Sequence, residues 1–252
     1  MTQDERTVAK RAVPPYFVPV QHTAASQQPT PPFNAPAARR LREALGMAPG
    51  HVAYGMRASY GLAHITPETI IAWERGEAAP MASELTALAG ALWCSPGELI
   101  GAPRTLREHR LALGLAPEDV AREAGVEIHA YLRMEETGEW RGNDRQSSAL
   151  AGTLRLTPRA FSTVTGRDAP LTELLRSAAT TRWQAYVRPL TRLVPVQRRE
   201  AEDVLHEMHL EYQALMAATL SWGGGTSAES GDAGRDFLDR ILDEFWSRIR
   251  NP

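Results

Sequence analysis

An all-α fold, with two tandem helical units followed by a helical hairpin and a tethered terminal helix, is predicted by three features of this sequence. Leu41, Leu45, Val52, Met56, Ile70, Trp73, Leu85, Leu88, Leu92 and Leu99 recur at helical spacing and form the expected core of the first unit. The stretch Ile65 to Pro80 is punctuated as one short helix. Thr66 is its N-cap, Pro67 fills the first helical position where a missing N–H costs nothing, and Gly76 supplies a left-handed stop before Pro80. A second copy follows: Ala44-Leu45-Gly46, Ala48-Pro49 and Val52-Ala53 match Ala112-Leu113-Gly114, Ala116-Pro117 and Val120-Ala121 at a constant offset of 68. Farther on, Ser95-Pro96 aligns with Thr157-Pro158 at an offset of 62, as in a repeat with one insertion and one small gain.

The 252 residues, 43% of them hydrophobic, suffice for one or two domains with real cores. No apolar run approaches the ~18 residues of a membrane span, and the N-terminus has no signal-peptide pattern, so a cytoplasmic protein without a membrane partner is expected. The single cysteine, Cys94, excludes an internal disulfide and falls where small buried residues are usual. The net charge of −2 is unlike that of dedicated nucleic-acid binders, whose affinity comes largely from phosphate neutralisation. Residues 1–35 hold six prolines and read as a disordered arm, with Ala12 to Val20 its one apolar strip.

The first unit spans residues 36–102. On its short helix Ile70 and Trp73 lie three apart and face the core, which leaves Thr66, Glu68, Thr69 and Ala72 outward. The pattern W-E-x-G-x-x-x-P, here Trp73-Glu74-Arg75-Gly76 to Pro80, resembles the lambda-repressor-like (xenobiotic-response-element) helix-turn-helix family. The flanks agree: Leu41 to Ala53 is similar to that family's first helix, turn and second-helix start, and Glu84 to Ile100 to its fourth and fifth helices. The resemblance implies two tandem helix-turn-helix domains and double-stranded DNA as partner, with Thr66, Pro67, Glu68, Thr69, Ala72 and Arg75 toward the duplex. A short helix with a fixed inner face and a free outer face is what major-groove reading requires. One departure stands out. Between Met56 and Ile65 the chain has about seven residues more than a compact helix-turn-helix connection needs. Val52, Met56 and Tyr60 share a helical face, so either the second helix continues to Tyr60 and is capped by Gly61, or the turn is longer.

The second unit, residues 103–166, has the compact turn Ala124-Gly125-Val126. Its third helix is expected from Glu127 to Glu135, with Ile128, His129 and Arg133 outward and DNA-facing, and Met134 in the place of Trp73. The G-x-x-x-P signature is absent, so this copy is divergent. Residues 167–222 read as a hairpin of two long helices, Leu171 to Leu193 and Val196 to Trp222, separated near Pro195. In the second of these, Val204, Met208, Leu215, Met216 and Thr219 recur on one face. Residues 223–234 form a Gly/Ser linker. Residues 235–252 carry a last amphipathic helix whose face of Phe237, Leu238, Ile241, Leu242, Phe245, Trp246 and Ile249 is too apolar to stay wet.

The chemistry of the reading positions is uneven. In the first unit Glu68 can accept from cytosine N4, while Pro67 and Ala72 offer only apolar contact to a thymine methyl. In the second, Arg133 can bind guanine and His129 can reach a base or a phosphate. Residues 36–102 carry five arginines against six acids and residues 103–166 nine against nine, so neither unit is basic. Glu202, His206 and His209 share one helix face, but without the H-E-x-x-H pattern or a nearby cysteine they are titratable residues on a solvated stripe. Gly223-Gly224-Gly225 follows a helix, with no strand before it, and is not a phosphate loop. No catalytic residue, metal site or cofactor is expected. The sequence therefore points to a cytoplasmic, nucleoid-associated regulator of transcription. Residues 171–249 would serve as a homodimer or protein-partner surface, because half-site recognition pairs with two-fold symmetry. The alternative is a protein-interaction adaptor on a degenerate helix-turn-helix scaffold.

Overall fold

Fifteen α-helices and one 3-10 helix, with no strand, make up the described residues, 30–221 and 227–249 of the computed structural model. They enclose three hydrophobic cores in chain order. The first lies among α1 (Ala35–Ala44), α2 (Pro49–Tyr60), α3 (Pro67–Glu74), α4 (Ala82–Ala91) and α5 (Pro96–Leu99). Val52, Met56, Ile70, Trp73, Leu85, Leu88, Leu92 and Leu99 are buried in it, and Leu41 packs half-buried at its edge. Leu45 departs from expectation. It caps α1 just past the last turn and is 48% exposed. Ile65 was not among the expected core residues and is fully buried, since it sits in a loop that helical periodicity does not describe.

The longer-helix alternative for the insertion is the one adopted: α2 runs to Tyr60 and stops on Gly61 at φ +68. The six-residue connection to α3 is pinned by Arg57 Nη1, which donates to the Ile65 carbonyl at 2.7 Å. Tyr60, in the last turn of α2, stands half-exposed, its ring laid over Gly90 of α4, where any Cβ would collide with the hydroxyl. Cys94 packs partly buried against the first core, and burial pushes its thiol up to about 11. Ahead of α1, the Asn34 amide donates to Leu99 O at 2.8 Å and the Gly101 amide to Pro32 O at 2.7 Å, with Phe33 bridged to Ile100. Residues 32–35, read from sequence as arm, thus belong to the first core. The strip Ala12 to Val20 lies outside the described residues.

The second core lies among α6 (Leu106–Ala112), α7 (Pro117–Ala124), α8 (Ile128–Thr137), α9 (Asp144–Thr153) and α10 (Pro158–Val164). Leu106, Val120, Tyr131, Trp140, Leu150 and Phe161 are buried in it. The helix α6 also packs on α5. Leu111 and Ala112 reach the first core, and a Cβ on Gly97 would come within 2.8 Å of the Ala112 carbonyl oxygen.

The third core lies among α11 (Asp168–Thr180), a 3-10 turn (Trp183–Tyr186), α12 (Val187–Leu193), α13 (Arg198–Ser221), α14 (Ser227–Asp239) and α15 (Ile241–Arg248). The single helix expected from Leu171 to Leu193 is broken at Thr181, which leaves the helical region at φ −128, ψ −130. Pro189 accounts for the fresh start at α12. In one continuous helix it would remove an interior hydrogen bond, whereas here it falls in the first turn of α12, where its nitrogen needs no partner. Val204 and Met208 are buried as expected, Leu215 packs at the edge, and Met216 is 39% exposed; the side chain of Thr219 is outside the described residues. The expected linker is also corrected, because Ser227 to Gly234 are helical. Gly234 lets α14 close on α13, its missing Cβ position being 3.1 Å from Met216 Sδ, so packing overrides composition. The terminal helix is two helices, broken at Arg240. Its apolar face docks on the chain's own α11 and α13, burying Phe237, Ile241, Phe245, Trp246 and Ile249. No helix among the described residues is long and apolar enough to cross a membrane.

Deleting residues 222–252 strips these five side chains from the third core. The expected outcome is a lower melting temperature or aggregation, seen by calorimetry and light scattering, with the first two cores still folded. An equally stable, monodisperse truncation would show that the face is not covered this way in solution.

Candidate nucleic-acid interface

Each of the first two bodies fixes one short helix, α3 or α8, on a buried arginine–carboxylate pair. Arg42 of α1 donates from Nε to Glu74 Oε1 at 2.6 Å and from Nη2 to Oε2 at 2.7 Å, and its Nη1 holds the Met47 carbonyl at 2.8 Å. Arg110 of α6 repeats this at 2.7 and 3.0 Å to Glu135, with the Leu115 carbonyl at 3.0 Å. Both pairs are about nine-tenths buried or more, with side-chain exposures of 11% and 9% in the first body and 8% and 5% in the second. The hydrogen bond to Glu74 raises the Arg42 pKa above its ordinary value. For Arg110 desolvation pulls the pKa down, but bonding to Glu135 and its charge outweigh that and leave it raised. Tyr131, fully buried on α8, donates to Glu135 Oε1 at 2.6 Å, and burial with the adjacent carboxylate pushes its own pKa well up.

A second pair of equivalent contacts sets the approach to each helix. Glu84 caps Met81 N at 2.8 Å and meets His64 Nε2 at 2.7 Å, ahead of α3. Gln146, in the matching position, caps Asn143 N at 2.9 Å and donates to Gly125 O at 2.7 Å, ahead of α8. The connection before α8 is Gly125–Glu127, half the length of Gly61–Thr66 before α3.

The expected site residues fall on these two helices. At α3, Thr66 Oγ1 accepts from Thr69 N at 3.3 Å, confirming Thr66 as the N-cap. Glu68 is exposed, and its own backbone N–H and then the Thr66 hydroxyl hold its carboxyl below the usual range. Pro67, Thr69 and Ala72 are half-buried, and Arg75 is exposed with Glu77 3.8 Å away. The helix α8 starts one residue later than expected and runs two residues farther, to Thr137. Glu127 is its N-cap, accepting from His129 N at 2.9 Å and Ala130 N at 3.0 Å, contacts that depress its pKa. Ile128 is not outward: with Val126 it folds back on the second core and is half-buried, as suits an apolar side chain in the first turn. His129 and Arg133 are exposed, and Arg133 makes no ion pair among the described residues. Met134 is half-buried in Trp73's place, its sulfur accepting from Arg141 N at 3.5 Å.

The buried arginine–glutamate pairs were missed in the sequence, although the repeat itself contained the signal. Arg42 and Arg110 share the offset of 68 with the Met47 and Leu115 carbonyls they bind. On α13, His209 Nδ1 bonds the Ala179 carbonyl at 2.8 Å and His206 stacks on Trp183 with ring centroids 5.0 Å apart, so both rings are engaged in packing.

Removing one partner of a buried pair strands a charge, so Glu135→Leu should cost about 3–5 kcal/mol in denaturant unfolding. The joint change Arg110→Met with Glu135→Leu should recover most of it. A Glu135→Leu cost below about 1 kcal/mol would mean that water already reaches the pair.

Comparison with family models, with curated proteins and with solved structures gave no match.

Proposed function

We propose that the chain is a sequence-specific, double-stranded-DNA-binding regulator of transcription, working in the cytoplasm at the nucleoid. In this reading the two five-helix bodies are tandem helix-turn-helix units of the lambda-repressor-like kind, with α3 and α8 as their reading helices. The observation that carries it is α8 itself: a short helix whose inner side is locked by Arg110, Glu135 and Tyr131 while His129 and Arg133 stand free on its outer side. An unpaired arginine on a rigid helix suits bidentate contact with guanine O6 and N7. The outer side of α3 offers less, an ionised Glu68 beside half-buried Pro67, Thr69 and Ala72. The second unit is therefore the main reader, and the first mainly sets its position.

The adaptor reading rests on a different observation. Glu68 and Glu127 place carboxylates in the first turn or cap of both helices, where an incoming phosphate would meet them. Dimerisation through residues 171–249 would need an outer face of that module, or exchange of α14 and α15, since their apolar side is covered within one chain.

Selection from a random duplex pool, followed by anisotropy titration at several salt concentrations, tests the proposal. Affinity for the selected site should fall with salt, with a slope of about −0.9 per phosphate contact. Arg133→Ala should cost about 1–3 kcal/mol on that site and relax preference at one base pair, while Glu68→Ala changes little. Absence of any retarded duplex at low salt would overturn DNA binding in favour of the adaptor.

A further inference from the structure

Residues 174–199 hold six arginines and no aspartate or glutamate, in a protein whose net charge is −2. Arg176 is tied to Glu173 and Asp239, and Arg198 to Glu202. Arg199 lies beside Glu200, Asp203 and Glu207. Arg182, at the start of the 3-10 turn, is exposed and makes no ion pair among the described residues. Arg188 and Arg192 share one helix. They are exposed, four residues apart on the outer side of α12, and make no ion pair among the described residues. The inner side of α12, Val187 and Leu190, is buried in the third core. The two arginines therefore stand on a fixed support.

Their place in the fold gives them a direction. Pro189 and Arg192 line one side of a hollow of about 460 Å³ whose other side is Glu139, Trp140 and Arg141, the loop leaving α8. That loop and α12 are joined through residues 165–167. The Trp140 amide donates to Thr165 O at 3.4 Å, Gly166 closes on the Gly138 carbonyl so that a Cβ would be 3.1 Å from its oxygen, and Arg167 Nη1 donates to Leu193 O at 2.5 Å. Glu139, the one acid among the described residues that lines the hollow, already accepts from Arg141 at 2.9 Å. Among the described residues, the guanidiniums lining this hollow without a carboxylate partner are Arg167, which is turned onto Leu193 O, and Arg192 of α12; Arg188 stands one turn before Arg192.

We propose that Arg188 and Arg192 bind the phosphate backbone of the same duplex whose bases α8 reads. The third body then supplies the charge that the neutral second unit lacks. The inference rests on the DNA-binding reading above. Side chains four apart on a helix have Cβ atoms about 5–6 Å apart, close enough for two guanidiniums to serve neighbouring phosphates of one strand. Such contacts position the protein without reading sequence.

The test is the full-length double variant Arg188→Gln/Arg192→Gln, titrated with the selected duplex and with a scrambled one from 50 to 200 mM salt, beside Arg39→Gln/Arg40→Gln on α1 as a matched change of charge. Both α12 side chains are exposed, and an unchanged melting curve will show that the variant folds. Its log K against log salt slope should be shallower by about 2, with affinity at low salt down about ten-fold or more and the ratio between selected and scrambled duplexes unchanged. Specific binding by the wild type, with no change of slope in the α12 variant, would overturn this contact and leave the DNA reading standing. A slope that falls equally in the α1 variant would reduce the effect to overall charge and overturn it too. No duplex binding by the wild type would remove both.

Discussion

A guanidinium clamped bidentately on a carboxylate in the protein interior is the contact on which the first two bodies depend. The helices it holds, α3 with eight residues and α8 with ten, are too short to persist alone in water. Tertiary contacts must therefore fix them, and each arginine binds three things at once: two carboxylate oxygens near the end of the short helix and a carbonyl in the turn after the first helix. Taking both charges out of water is costly, and the gain is geometric. The pair sets where the short helix lies and how it is turned, and so which side chains face outward.

The two bodies use the same devices at the same places. Besides the clamps, both have a capping glutamate or glutamine at the start of their fourth helix that also ties down the preceding connection, and both carry a non-glycine residue in left-handed backbone after it, Trp93 at φ +53 and Arg155 at φ +51. That backbone costs roughly 1–2 kcal/mol in each. Their differences follow one line. The first body has the buried Trp73 and the long, pinned connection, and its outer side is chemically sparse. The second exchanges Trp73 for Met134, anchors α8 through Tyr131, and frees Arg133 and His129.

Helix ends were the most legible part of this sequence. Thr66 with Pro67, Gly61 and Gly125 each mark a boundary because a cap or a left-handed residue is a local requirement. Facing was less legible at those same ends. Leu45 and Ile128 sit one residue outside or inside a helix, where periodicity no longer fixes direction. The third body was legible as amphipathic but not in its breaks. The fresh helix start at α12 follows from Pro189, and the helicity of Ser227 to Gly234 follows from packing on α13, which Gly/Ser composition hides. The α12 arginines were present in the sequence as an acid-free run, which lies outside the two units whose charge was counted.

The central claim, that α8 is presented to duplex DNA by the Arg110–Glu135 clamp, is tested most directly by amide chemical-shift mapping of the intact chain with a duplex selected from a random pool. The largest changes should fall on His129 to Thr137 and on the following loop, and should disappear at high salt. Changes confined to surfaces away from α8, such as the exposed Tyr54 of α2 and Trp93 after α4, or a bound duplex that leaves the α8 amides unmoved, would contradict the account.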